Sequence, residues 1–130
     1  MERSQGQGTG EGVEITEVRR KLEEIPIKLD EARKRHIQAR KTYLLAEAAY
    51  EDKYDMLYLS AKATSEKKTQ GDLVALARHG SYEQRLTVIT TEADMKVIEN
   101  EIKYLSDQHE AALEDSRTAR AEIKSTSFGG

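Results

Sequence analysis

The sequence predicts an all-α protein: a long antiparallel helical hairpin, coiled-coil-like, preceded by a short N-terminal helix and assembling into an oligomer. Three observations carry that expectation. Hydrophobic residues are 37% of the 130 and charged residues 35%, which leaves little for a thick globular core and suits long solvated helices. One Pro and seven aromatics, six of them Tyr, disfavour strand-rich sandwiches and barrels with their frequent turns. Above all, apolar positions recur in alternating steps of three and four along two long stretches, the spacing of a coiled-coil seam.

Residues 1–12, MERSQGQGTGEG, hold four of the eight Gly and no apolar residue after Met1. Burial cannot offset their ordering entropy, so a disordered tail is expected there. From Val13, the positions Ile15, Val18, Leu22 and Ile25 make one stripe on a short amphipathic helix, 13–25, which Pro26 is expected to break or kink. The hairpin then occupies 27–125. Its first arm carries the seam Leu29, Ala32, His36, Ala39, Tyr43, Ala46 and Tyr50, slipping by four residues to Tyr54, Leu57 or Tyr58, and Ala61. At ~1.5 Å per residue this arm would be roughly 60 Å long.

The turn is placed within 65–81. SEKKTQGD, Ser65–Asp72, is polar and contains Gly71. Asp72 is the expected N-cap of a short helix LVALARH that Gly80 closes, and Ser81 with Gln84 has the spacing of a capping box opening the last helix. The second arm runs Val88, Thr91, Met95, Ile98, Ile102, Leu105, His109, Ala112, Ser116, Ala119 and Ile123, ahead of a short tail at 126–130. A lone hairpin would bury one narrow seam per helix and leave Leu44, Leu45, Leu57, Ile89 and Val97 wet, so self-association is expected.

The absence of Cys excludes disulfides, thiolate chemistry and Cys-ligated metals. No apolar run approaches the roughly 20 residues of a membrane span, and the N-terminus lacks the apolar core of a signal peptide, so a cytoplasmic protein with no membrane role is expected. No catalytic signature is found and no cofactor is implied. Glu99 with Glu101, and Glu114 with Asp115, do not face one another on a helix. GQGTGEG lacks the preceding strand and following Lys-Ser or Lys-Thr of a phosphate loop. His79, beside Gly80, is placed at a helix end. His36 and His109 fall opposite one another if the chain reverses near residue 73, and read as a polar layer fixing register rather than a metal pair.

A net charge of −3 argues against a globally basic protein but not against a local basic face. Five Lys and Arg lie between Arg33 and Lys41, and no acid occurs between Glu31 and Glu47, whereas elsewhere acid and base alternate every few residues. One reading is a phosphate-contacting ridge of Arg33, Lys34, Arg40 and Lys41, with Tyr43 and Tyr50 in the seam rather than stacking on bases. The other is neutralisation within the hairpin by Asp107, Glu110, Glu114 and Asp115, in a structural or scaffolding coiled coil with no nucleic-acid role.

The last helix carries a resemblance. Thr87–Tyr104, TVITTEADMKVIENEIKY, with its Thr-Val start, its Ala-Asp four residues before a branched apolar position and its closing Lys-Tyr, resembles the corresponding helix of UvsY-type recombination mediators of T-even-like phages. The order of a basic, Tyr-containing helix, a polar turn and this helix followed by Ile123-Lys124 is also similar; where this chain ends in STSFGG, the family continues into a short terminal segment. The resemblance implies a non-enzymatic phage protein of the host cytoplasm. Such a protein would bind single-stranded DNA, form a ring or similar homo-oligomer, and help load a strand-exchange recombinase against single-strand-binding protein. The positions matching the family's basic helix in character are Arg33, Lys34, Arg35, Arg40 and Lys41.

Overall fold

A computed structural model describes residues 10–64 and 66–129, and the side chains of 15–64 and 66–124. It contains three helices, α1 (Gly10–Lys62), α2 (Gln70–Gly80) and α3 (Tyr82–Gly129), with no strand among the described residues. The long helices pack together within each of two compact units. One comprises the described residues up to Arg33 with those from Asn100 onward, and the other Lys34–Glu99. None of the described helices is long and apolar enough to cross a membrane.

In the first unit Ile25, Leu29 and Ala32 of α1 form a buried cluster with Leu105 of α3, and Ile102 packs against it. The residues come from the two seams at their three-and-four spacing, so each helix presents one apolar line to the other. Pairing on the outer surface is local. Arg20 donates to Glu17 at 2.7 Å and to Glu24 at 2.9 Å, and the first of these bonds holds the Glu17 carboxyl below the usual carboxylate value. Arg117 reaches Glu114 at 3.2 Å.

The expected break at Pro26 does not occur: α1 is one helix from Gly10 to Lys62 with Pro26 inside it. A proline there removes the bond to the Leu22 carbonyl and costs ~3 kcal/mol in a helix interior. Ile25 and Leu29, on either side of it, are 4% and 6% exposed, and burying each stabilises by roughly 1.5–3 kcal/mol, enough to carry the helix through. Pro26 itself is exposed, where water can take up the freed carbonyl. The separate helix 13–25 is therefore the start of α1. Of the expected tails, 10–12 are helical and α3 runs to Gly129, while residues 1–9 and Gly130 lie outside the described residues.

In the second unit Ala46, Leu73, Ala77 and Ser81 are buried, and Tyr43, Tyr50, Tyr54, Leu57, Val88, Met95 and Ile98 are half-buried. The N-cap of α2 is Thr69, not Asp72. The Thr69 hydroxyl accepts from the Asp72 amide at 3.1 Å and the Asp72 carboxylate accepts from the Thr69 amide at 3.2 Å, a reciprocal capping box. The box expected at Ser81 and Gln84 is absent. Ser81 is fully buried, so its hydroxyl, cut off from water, donates back to the Ala77 carbonyl at 2.6 Å. Backbone bonds from Ser81 to Ala77 and from Arg85 to Ser81 carry the chain from α2 into α3 with a single residue between them.

Gly80 ends α2, but not as a left-handed cap, since no described Gly has positive φ. Its role is closeness. A Cβ there would lie 2.6 Å from Leu57 Cδ1, so any larger residue would require the end of that side chain to shift.

Candidate nucleic-acid interface

Of the five cations singled out in the sequence, Arg33 falls in the first unit and Lys34, Arg35, Arg40 and Lys41 in the second; all are exposed. Within the second unit α1 advances ~100° per residue, which puts Ile37 and Leu44 in one strip seven residues apart. Arg40 borders that strip on one side and Lys34 with Lys41 on the other, while Arg35 lies on the far side of the helix. Ile37 is 68% exposed, Leu44 48% and Leu45 62%. Together with His36, Arg40 and Lys41 they line a shallow concavity of about 410 Å³. The aliphatic floor was not singled out as part of a site from sequence. Leu44 and Leu45 were legible only as a wet apolar edge.

Two nearby carboxylates are already engaged. Glu99 lies 2.9 Å from His36 Nε2, and Glu47 accepts from the Tyr43 hydroxyl at 2.9 Å. Arg40 and Lys41 make no side-chain hydrogen bond or ion pair among the described residues. The acids expected to neutralise the run, Asp107, Glu110, Glu114 and Asp115, belong to the first unit, where Glu114 pairs with Arg117. Arg40 and Lys41 thus stand exposed and unpaired among the described residues, on a chain of net charge −3.

His36, expected opposite His109, meets Glu99 within the second unit, while His109 belongs to the first. No group of three or more His, Asp or Glu among the described residues is arranged to hold a metal. Tyr43 and Tyr50 stand half-buried on the seam. The Glu47 carboxylate, with partial burial, pushes the Tyr43 phenol above its usual value, and Tyr50 packs on Tyr54 with ring centres 6.1 Å apart. Neither ring is presented as a stacking platform. No family model, curated protein or solved structure matches this chain.

Proposed function

We propose that the chain is a non-enzymatic accessory protein that binds single-stranded DNA through the exposed face of α1 between Lys34 and Lys41. One observation carries this reading: Arg40 and Lys41, unpartnered among the described residues, border an aliphatic strip on opposite sides. Free cations attract phosphates by counterion release, and exposed Ile37 and Leu44 offer a surface to sugars and base faces that only a single strand leaves open. Arg33 continues the basic run along the same helix. An antiparallel hairpin is the scaffold that fits. Within the second unit His36 meets Glu99, Leu57 meets Gly80 and Tyr58 meets Gln70, so partners fall in number as α1 advances. Self-association, and a role in the host cytoplasm in loading a strand-exchange recombinase against single-strand-binding protein, are what the UvsY-type resemblance adds.

The test is fluorescence anisotropy of labelled oligothymidine with the wild type and with Arg40→Glu/Lys41→Glu. The expected result is tight binding by the wild type, weaker binding to a duplex of the same length, and a loss of about tenfold or more in the variant with unchanged circular dichroism. A wild type that binds neither form in ~50 mM salt would leave the scaffolding coiled coil as the better reading.

A further inference from the structure

The α3 helix has two apolar faces, and only one is covered. In the second unit Gln84, Val88, Thr91, Met95 and Ile98 are half-buried on the inner seam. On the opposite side Tyr82, Leu86, Ile89, Ala93 and Val97 follow one another in steps of four, three, four and four, and all are exposed. Tyr82 is 56% exposed, Leu86 44%, Ile89 52% and Val97 65%. At ~100° per residue the two lines lie almost diametrically across the helix. A helix that faces water needs no such second line, and its spacing is that by which one helix receives another.

The charges beside this outer line point to its occupant. Arg85 and Lys96 flank it on one side, with Glu92 further round, half-buried and acting on the Tyr43 phenol, and Glu83 and Asp94 flank it on the other. Neither the two cations nor Glu83 and Asp94 make a side-chain hydrogen bond or ion pair among the described residues. When two such faces meet with their helices parallel, about a two-fold axis along them, the basic flank of each lies against the acidic flank of the other. Antiparallel pairing would set base against base and acid against acid. We infer that the outer face of α3 pairs in parallel with the same face of a second copy of this chain, closing an isologous contact through Leu86, Ile89 and Val97.

The exposed face of α1 differs in kind. Its aliphatic positions are bordered by Arg40 and Lys41, neither of which is ion-paired among the described residues, which suits an anion rather than a copy of itself. The pairing names the surface for the proposed self-association and does not depend on nucleic-acid binding.

Two measurements test it. Sedimentation velocity at tens of micromolar should show a dimer or a multiple of one for the wild type, and monomer for Ile89→Glu with its helix content kept. Charge reversal tests orientation. Arg85→Glu/Lys96→Glu gives one copy two acidic flanks and Glu83→Lys/Asp94→Lys gives another two basic flanks. Each should associate at least tenfold more weakly alone, and their mixture should recover the wild-type assembly. Because the chain has no Cys, single cysteines report register cleanly: Tyr82→Cys and Val97→Cys should each form disulfide-linked dimers with themselves. A monomeric wild type, an Ile89→Glu variant that still assembles, a mixture that fails to recover, or cross-linking of Tyr82→Cys only to Val97→Cys would overturn the inference.

Discussion

Gly80→Ala separates two explanations of the same glycine. If Gly80 served as a left-handed cap, Ala would cost roughly 1 kcal/mol whatever surrounded it. The backbone there has no positive φ, so Ala should instead gain about 0.8–1 kcal/mol of helix propensity. Against this stands Leu57. The new methyl would lie 2.6 Å from Cδ1, about 1 Å inside ordinary carbon contact, with Cδ2 and Cγ both at 3.6 Å. Relief requires Leu57 to leave its rotamer or α1 to draw back, an overpacking cost of roughly 1–3 kcal/mol. In the wild-type background the two effects nearly offset or leave a net loss of up to about 2 kcal/mol. In a Leu57→Ala background the clash is gone, and Gly80→Ala should stabilise by about 0.8–1 kcal/mol. A double-mutant cycle by urea denaturation, followed by circular dichroism, should therefore return a coupling of about 1–3 kcal/mol. Equal effects of Gly80→Ala in both backgrounds would refute the close approach of α1 and α2.

Leu105→Ala should cost about 2–3 kcal/mol in the same assay, since Leu105 is 7% exposed in a cluster of only four buried side chains, and a loss under ~0.5 kcal/mol would show that the cluster does not hold the first unit. Thr69→Ala should cost ~1 kcal/mol by removing the acceptor of the Asp72 amide, with faster hydrogen exchange confined to the start of α2. Tyr43 should ionise later than an ordinary tyrosine in an absorbance titration at alkaline pH. Its folded value is raised, so the contribution to stability is complete below the usual phenol value and is lost as pH rises through the folded one. Tyr43→Phe should accordingly remove a late-titrating component, and loss of an early one would contradict the assignment.

The seams were legible because steps of three and four set one apolar line along each helix: every seam position from Leu29 to Ala61 and from Val88 to Ala119 is buried or half-buried. Register was not legible. It depends on how the long helices pack against each other, which the spacing within either helix does not give, and in the second unit it is Glu99 that meets His36. The caps misled for a related reason. Thr69 with Asp72 and Ser81 with Gln84 have the same spacing, but only the exposed Thr69 has an amide to satisfy, while the buried Ser81 sits where backbone bonding continues. Pro26 signals a break locally, and the burial on both sides that carries the helix through it is invisible without the partner helix. At the site, charge asymmetry was plain in sequence. The exposed aliphatic strip between the cations, and the prior engagement of Glu47 and Glu99, needed the packed helices.

The most direct test of the central claim is the salt dependence of oligothymidine binding by the wild type and by Arg40→Glu/Lys41→Glu. Each phosphate neutralised contributes about −0.7 to the slope of log affinity against log salt. The wild type should show a steep negative slope, and the variant one shallower by about 1.4, for two lost contacts. An unchanged slope, or no binding by the wild type at ~50 mM salt, would contradict a phosphate-contacting face on α1.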